Sequence, residues 1–208
     1  MKFVVLGATG GVGLEIVRQA LARNHHVKAF VRSDERLKPF ADYIAIERCD
    51  LLNAAALEKA IRGSDAILSG FGPRLPISKS DATLLRDFAA ALTRAMHQAA
   101  VRRVVIVSTA FLFKDAILPP AHLFGRLLFP GVVKDATAME RIILKSGLDW
   151  TLVRPPQLTD KPLSGNYRVR DGHLPIFGFK VSRADVADFC LKTAEDPASV
   201  GKIIGISN

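Results

Sequence analysis

The sequence has few of the residues that usually mark a disulfide-stabilised protein or a metalloprotein. Its 208 residues include two cysteines and five histidines, and none of them has the spacing of a metal site. Cys49 and Cys190 both lie beside apolar stretches, so we expect reduced thiols in the core of a cytoplasmic protein. The sequence therefore predicts neither a disulfide framework nor a bound metal.

Long apolar runs are also absent. No run reaches the roughly 18 residues that span a membrane, and the first apolar run ends at Gly7, so we expect no membrane span and no signal peptide. Apolar residues still make up 49% of the chain, which argues against disorder. We expect one compact domain over residues 1–208.

Negative charge is in short supply, with 20 acidic against 29 basic residues and a net charge of +9. Such a balance can indicate binding to nucleic acid or to an acidic membrane surface. The lysines and arginines are dispersed, however, and no nucleic-acid motif or stacking aromatic pair accompanies them. We therefore expect no nucleic-acid partner and attribute the excess charge to a basic surface and an anionic cofactor.

The most informative feature is a glycine-rich turn near the N-terminus. An uncharged strand-like run leads into G-x-x-G-x-x-G spacing and then into an amphipathic helical pattern. The first glycine permits a tight turn, the second lets a pyrophosphate approach, and the third allows close packing of helix on strand. The helix N-terminus offers N–H groups and a positive dipole to the phosphates. An ordinary turn without a ligand is the alternative. The predicted cofactor-binding residues of this turn are Gly7, Thr9, Gly10, Gly11, Val12 and Gly13.

Strand-like runs alternate with helical patterns along the chain, which predicts a Rossmann-type doubly wound parallel sheet flanked by helices. The predicted strands are residues 2–6, 26–31, 43–47, 66–69, 103–108, 150–154 and 202–206. The predicted helices are residues 12–23, 54–61, 82–99, 134–146 and 183–193. Asn53 and Ser182 are predicted N-caps, and Gly63 and Gly147 are predicted to end helices.

Two segments without a regular pattern, residues 111–133 and 160–180, follow the C-terminal ends of predicted strands. Ligands of doubly wound proteins bind at those ends, so both segments should form a small irregular region on the substrate side. We expect a hairpin around Asp171-Gly172 in the second segment. The many apolar residues between 111 and 129 either complete the core or form a lid or the contact of a homodimer.

The end of the second predicted strand indicates which dinucleotide binds. A protein specific for NAD would place Asp or Glu there, but this chain has Arg32, with Arg36 one helical turn further on. An acidic side chain would repel a 2′-phosphate, whereas Arg32 can bind it through a charge-assisted fork and Arg36 can add a second contact. We therefore expect NADP as cofactor, with NADPH favoured over NADH. The alternative is that Arg32 is a solvated loop residue.

Five motifs spread over almost the whole chain carry a resemblance to a known family. They are Gly7-Ala8-Thr9-Gly10-x-x-Gly13, Val31-Arg32, Cys49-Asp50-Leu51, Ser108-Thr109-Ala110 and the run from Gly147 to Pro155. Together they resemble the atypical short-chain dehydrogenase/reductases of the NmrA-like type. The segment 160–167 adds similarity to the flavin reductases of that family.

The resemblance implies cofactor contacts beyond the glycine turn, running from the adenine to the nicotinamide. The implied residues are Asp50 and Leu51 at the adenine, Phe71 and Gly72 at the ribose and pyrophosphate, Thr109 at the nicotinamide, and Pro155, Pro156 and Gln157 at its carboxamide. Ser108 is a further cofactor-binding residue that the resemblance implies.

Two departures limit what the resemblance implies about catalysis. Most short-chain dehydrogenases use a Tyr-x-x-x-Lys pair, but neither Tyr43 nor Tyr167 has a lysine four residues on. Gln157 stands where the flavin reductases have a histidine, and an amide cannot deliver a proton at neutral pH. Thr109 and Gln157 remain as the candidate catalytic residues.

A reductase without a side-chain acid is chemically reasonable, because a flavin or quinone can take its proton from solvent. We therefore predict an NADPH-dependent oxidoreductase that transfers hydride to a flavin, a quinone or a similar conjugated acceptor. The alternative is a non-catalytic NADP-binding redox sensor that acts through a protein partner. The missing Tyr-x-x-x-Lys pair argues against an epimerase or dehydratase of sugar nucleotides.

Overall fold

The structure, a computed structural model, describes residues 1–31, 35–73, 82–113 and 130–208. The strands in these ranges are β1 (Lys2–Leu6), β2 (His26–Val31), β3 (Ala45–Arg48), β4 (Ala66–Ser69), β5 (Arg103–Val107), β6 (Asp149–Arg154), β7 (Gln157–Thr159), β8 (Arg168–Asp171), β9 (Lys180–Ser182) and β10 (Lys202–Ser207). The α-helices are α1 (Gly11–Ala22), α2 (Ala54–Ile61), α3 (Leu84–Ala99), α4 (Pro130–Leu144) and α5 (Arg183–Glu195). Short 3₁₀ helices cover Glu35–Phe40, Ala110–Leu112 and Pro197–Ser199.

Eight strands form one sheet in the order β3-β2-β1-β4-β5-β6-β10-β8. All neighbours are parallel except β8, which pairs antiparallel with β10 at one edge. β7 and β9 form a separate parallel pair. The strand order reverses between β1 and β4, and ligands of such sheets bind at that reversal, outside the strands' C-terminal ends. The structure confirms the predicted Rossmann-type doubly wound fold.

Helices cover both faces of the sheet because the central strands are apolar on both sides. In β1, Phe3 and Val5 pack in a buried cluster with side chains of α1 and α5. Val4 and Leu6 point the opposite way and pack with side chains of α2, α3 and α4. Each face therefore has its own core, and the C-terminal end of β1 emerges between them.

Most predicted elements have the observed bounds or differ by one or two residues. The strands at 2–6, 26–31 and 66–69 and the helix at 54–61 match at both ends. Asn53 caps α2, since its side chain accepts hydrogen bonds from the N–H groups of Ala55 and Ala56, both at 3.1 Å. The largest difference is α4, which begins at Pro130 rather than at residue 134. Proline suits a first helical turn, where its missing N–H costs no hydrogen bond.

The predicted hairpin around Asp171-Gly172 is wrong. β8 does end at Asp171, but its partner is β10, with Arg168 opposite Ser207 and Asp171 opposite Ile204. The Gly172 N–H then donates to the Ile203 carbonyl at 2.7 Å. Pairing with β10 covers an edge of the large sheet that a local hairpin would leave open.

A buried carboxylate fixes the start of α5. Asp185 accepts hydrogen bonds from the Asn208 amide at 3.0 Å and the Ser182 hydroxyl at 2.7 Å. It also accepts from the N–H groups of Gly165 and Ser164, both at 2.9 Å. Burial alone would raise the pKa of this carboxyl, but the hydrogen bonds outweigh it and lower the pKa from its ordinary value of 3.8 to about 2. The predicted N-cap is confirmed as well, because the Ser182 hydroxyl accepts from the Asp185 N–H at 2.9 Å.

We expect Asp185 to make stability depend on acid. Because its folded-state pKa is lowered to about 2, the carboxylate stabilises the fold fully above its unfolded pKa of 3.8, and this contribution is lost as the pH falls towards 2. Asp185→Asn should therefore lower the free energy of unfolding by about 2 kcal/mol at neutral pH and by less in acid. Urea unfolding of the wild type and the variant, at neutral pH and in acid, measures the loss of stability under each condition. Equal losses would contradict this role.

Candidate functional site

The glycine turn between β1 and α1 can form because two of its positions lack a side chain. Gly7 has a φ of 71°, and the Gly10 N–H donates to the Gly7 carbonyl at 2.9 Å. A Cβ on Gly13 would lie 2.2 Å from that same carbonyl oxygen. A Cβ on Gly7 would lie 2.7 Å from the backbone of Phe71. The turn thus packs the start of α1 tightly against the ends of β1 and β4.

The N-terminus of α1 opens at this turn and is built from backbone alone. Gly10 is the N-cap and makes no side-chain hydrogen bond, and the first turn contains no acidic residue. The first helical hydrogen bond runs from the Leu14 N–H to the Gly10 carbonyl at 2.9 Å. The N–H groups of Gly11, Val12 and Gly13 precede it and have no acceptor within the helix. Together with the helix dipole, they fit a phosphate group.

Arg36 contacts the same glycine turn through Thr9. Its guanidinium donates to the Thr9 carbonyl at 2.7 Å, while the residue stays largely exposed. Arg36 belongs to the 3₁₀ segment Glu35–Phe40, which follows β2 in the chain. The structure thus brings Arg36 to the glycine turn, whereas Arg32 lies outside the described residues.

Asp50 and Leu51 follow β3 and differ in their surroundings. Asp50 is exposed, and its carboxylate accepts a hydrogen bond from the Leu52 N–H at 3.0 Å. Leu51 is buried in the cluster that includes Leu57 of α2. Asp50 can therefore face a bound adenosine with its side chain, whereas Leu51 can border one chiefly with its backbone.

The chain that leaves β4 faces the glycine turn. The Gly70 N–H donates to the Leu6 carbonyl at 3.0 Å, which keeps this segment beside β1. Phe71 packs on Phe88 of α3, with 4.7 Å between the ring centroids. Gly72 is exposed, and a Cβ there would meet nothing within 4 Å. Among the described residues, none would therefore block a side chain at position 72, and Phe71 keeps the segment beside α3.

The ends of β5 and β6 hold the residues predicted to border the nicotinamide. The Ala110 N–H donates to the Pro155 carbonyl at 3.0 Å, so the two strand ends stay paired beyond the sheet. Thr109 lies between them half-buried, and its hydroxyl accepts from the Phe111 N–H at 3.3 Å. The structure therefore brings Thr109 and Pro155 together at one point of the C-terminal edge.

Beyond Pro155 the chain turns towards the irregular side of the molecule. Pro156 is half-buried and Gln157 is exposed. Gln157 begins β7, and its N–H donates to the Phe179 carbonyl at 3.2 Å. Position 157 is therefore held by its backbone, while the residue itself is exposed.

A buried ion pair lies behind this edge and was not identified from the sequence. Glu140 of α4 and Arg154 of β6 are only 3% and 9% exposed. Arg154 Nε donates to Glu140 at 3.0 Å, and its Nη2 donates to the second carboxylate oxygen. The Ser108 hydroxyl donates to the same carboxylate at 2.6 Å, and the Arg154 guanidinium lies 4.6 Å from the centre of the Phe113 ring. These contacts hold the end of β5, and hence Ser108, against α4.

Neither tyrosine lies at this site. Tyr43, just before β3, is 72% exposed. The Tyr167 hydroxyl donates to Asp188 at 2.5 Å, and Asp188 pairs with Arg23 at the C-terminal end of α1. The length of α1 places Arg23 roughly 18 Å from the glycine turn. Burial and the bond to Asp188 raise the pKa of Tyr167, so the phenol stays protonated.

The remaining sequence predictions concern thiols, metals and the apolar segment. Both cysteines are free, but only Cys190 lies in the core as predicted, and burial raises the pKa of its thiol to about 12. Cys49 is only partly buried and packs against the edge of the core, because it follows β3 near one side of the sheet. Among the described residues, no group of histidine, cysteine and carboxylate side chains could hold a metal ion, and no helix could cross a membrane.

Of residues 111–129, only 111–113 are described, and the lid or homodimer contact predicted for the rest lies outside the described residues.

Comparison with known proteins gives a family match over most of the chain. A family model described as NAD(P)H-binding matches residues 7–197. A short-chain dehydrogenase/reductase of the wide type from Veillonella parvula, solved in complex with NADP, matches with a TM-score of 0.82. It is 19% identical and covers 100% of this chain and 94% of its own.

Two plant proteins are similar in sequence. An uncharacterised chloroplastic protein of Arabidopsis thaliana is 31% identical over 99% of this chain and 76% of its own length. Protein TIC 62, chloroplastic, of the same plant is 27% identical over 97% of this chain. This chain spans 35% of the length of TIC 62.

Proposed function

The chain belongs to the NAD(P)H-binding family, and from that premise we propose that it is an NADPH-dependent oxidoreductase that transfers hydride to a flavin, a quinone or a similar conjugated acceptor. One observation carries the proposal. The backbone-built anion site at the start of α1 lies on the same C-terminal sheet edge as Thr109 and Gln157. A dinucleotide held at the glycine turn can extend along this edge to the ends of β5 and β6.

The side chains at the far end of that edge favour a conjugated acceptor. The bound cofactor would supply the hydride, and the chain would bind and orient it. Thr109 and Gln157 offer hydrogen-bonding groups there, but neither ionises near neutral pH. A carbonyl or alcohol substrate needs a positioned acid or base, whereas a reduced flavin or quinone can take its proton from water.

Within the family, we place the protein among the NmrA-like atypical short-chain dehydrogenase/reductases, near the flavin reductases. The glycine turn, Thr109 and the Pro155-Pro156 pair support this placement. The free cysteines support a reducing compartment, for which we propose the cytoplasm. The two similar plant proteins are chloroplastic. The free cysteines therefore support a reducing environment, and the choice of the cytoplasm is our proposal.

Arg32→Ala is expected to weaken NADPH binding much more than NADH binding, because only NADPH carries a 2′-phosphate. Loss of one charge-assisted contact costs about 1.5–3 kcal/mol, or roughly 10- to 150-fold in Kd. Arg36→Ala should show the same preference with a smaller effect, since Arg36 also contacts the Thr9 carbonyl. Titration of both cofactors by nicotinamide fluorescence measures the two ratios. Equal weakening of NADPH and NADH would refute a 2′-phosphate contact.

The activity itself is tested by steady-state oxidation of NADPH in the presence of FMN, a quinone or biliverdin. We expect turnover with FMN or the quinone, and much slower turnover when NADH replaces NADPH. Arg18→Gln removes a charge from the exposed side of α1, where Arg18 pairs with Glu15, and should leave turnover unchanged. A protein that binds NADPH but oxidises none of it across the panel would overturn the proposed activity.

Thr109 and Gln157 also favour a second function. Because neither Thr109 nor Gln157 ionises, the site also suits a non-catalytic sensor that binds NADP and acts through a protein partner. Such a sensor must distinguish oxidised from reduced cofactor. Equal Kd values for NADP⁺ and NADPH, together with turnover in the oxidation assay, would exclude it.

A further inference from the structure

One charged side chain at the glycine turn is not used by the site described above. Arg183 is the first residue of α5, and its side chain lies against Gly11 at the start of α1. A Cβ on Gly11 would lie 2.4 Å from Arg183 Cδ and 2.6 Å from its Nε. Gly11 thus lacks a side chain at the point where the Arg183 side chain lies.

This position is electrostatically unfavourable for a cation. Arg183 lies at two helix N-termini at once, since it begins α5 and covers the first residue of α1. Helix N-termini carry a positive partial charge and favour anions. Asp185 provides a carboxylate in the first turn of α5, but the first turn of α1 has none. The arrangement therefore calls for an anion beside Gly11.

The counter-ion that the chain itself supplies is held weakly. Arg183 Nη1 donates to Asp160 Oδ1 at 2.6 Å. The Asp160 side chain is 91% exposed, however, and that of Arg183 is 30% exposed. Exposed ion pairs of this kind contribute only about 0–1 kcal/mol. A pyrophosphate at the N–H groups of Gly11 and Val12 would offer the guanidinium a stronger, bidentate partner.

We propose that Arg183 is a pyrophosphate-binding residue. When the dinucleotide binds, the Arg183 guanidinium leaves Asp160 and pairs with the pyrophosphate instead. The inference rests on the proposed function, because it takes NADP(H) as the ligand. It separates the roles of the two arginines at the turn. Arg36 lies on the side proposed for the 2′-phosphate, whereas Arg183 contacts a group that NADPH and NADH share.

Arg183→Gln is expected to raise the Kd of NADPH and of NADH by the same factor, about tenfold or more. The Kd of 2′-AMP should stay unchanged, because that nucleotide has no 5′-phosphate. Calorimetric titration with the three ligands measures these values. Arg18→Gln is the matched control, since it removes the same charge from an exposed part of α1 and should change none of them.

Arg183→Lys guards against a change in folding. Lysine keeps the charge but not the fork, so this variant should bind both cofactors more tightly than Arg183→Gln and less tightly than the wild type. Equal weakness of the two variants would overturn the proposed contact, whatever their melting temperatures.

The outcomes separate this inference from the proposed function. A wild-type protein that binds neither cofactor would refute the proposed function. A wild-type protein that binds both, with an Arg183→Gln variant whose Kd values stay within about twofold, would refute the pyrophosphate contact alone. A loss confined to NADPH would also refute it, because Arg183 would then contact the 2′-phosphate.

Discussion

Gly13→Ala is expected to lower the melting temperature by about 6–12 °C, which corresponds to roughly 3 kcal/mol for a chain of this size. The added Cβ would lie 2.2 Å from the Gly7 carbonyl oxygen and 2.9 Å from the Ala8 Cα, and both are backbone atoms. Backbone cannot rotate away as a side chain can, so α1 must move off β1. Moving α1 displaces its first N–H groups, and NADPH binding should be lost with the stability.

Gly131→Ala is the control for this change. Gly131 lies in the first turn of α4, is exposed, and has nothing within 4 Å of an added Cβ. Alanine is the better helix former, so the melting temperature should stay unchanged or rise slightly. Scanning calorimetry of both variants gives the comparison. A Gly13→Ala variant with the melting temperature of the wild type would show that α1 does not pack closely on the Gly7 carbonyl.

Glu140→Gln is expected to lower the free energy of unfolding by about 3–5 kcal/mol, because it leaves the buried Arg154 guanidinium without its counter-ion. The pair carries two hydrogen bonds and supports the Ser108 hydroxyl at 2.6 Å. Arg154→Met should be similarly costly, since it leaves the carboxylate buried and unpaired. The double variant should cost far less than the sum of the two.

Urea unfolding of the two single variants and the double variant forms a double-mutant cycle, and we expect a coupling energy of about 3 kcal/mol. Glu15→Gln provides the comparison, since Glu15 and Arg18 form an ion pair whose side chains are 27% and 51% exposed. That change should cost less than about 1 kcal/mol. Additive losses at Glu140 and Arg154 would show that the two side chains do not act as a pair.

The parts of this molecule that follow from local sequence were predictable. The glycine spacing lies between one strand and the helix that follows it, and the Asn53 cap depends on residues two and three positions away. The buried strands follow from uninterrupted apolar runs. Glu140 could also have been found, because it falls among the buried α4 positions 136, 139 and 143. A carboxylate in such a stripe requires a buried partner.

The parts that depend on contacts between distant segments were not predictable. β8 pairs with β10 rather than folding back on its neighbour, because the free edge of the large sheet lies more than 30 residues further along the chain. Arg183 meets Gly11 only because α5 packs beside α1. Nothing in the residues around Arg183 indicates that contact. The burial of Leu51, predicted to lie at the adenine, was not predictable either, since it depends on packing against α2.

The central claim, hydride transfer from NADPH, is tested most directly in a stopped-flow experiment without oxygen. The preformed complex of protein and NADPH is mixed with FMN or a quinone, and the loss of nicotinamide absorbance is followed. We expect the absorbance to decay much faster than in a mixture without protein, and more slowly when NADH replaces NADPH. A complex that forms with NADPH and stays unreacted with every acceptor would contradict it.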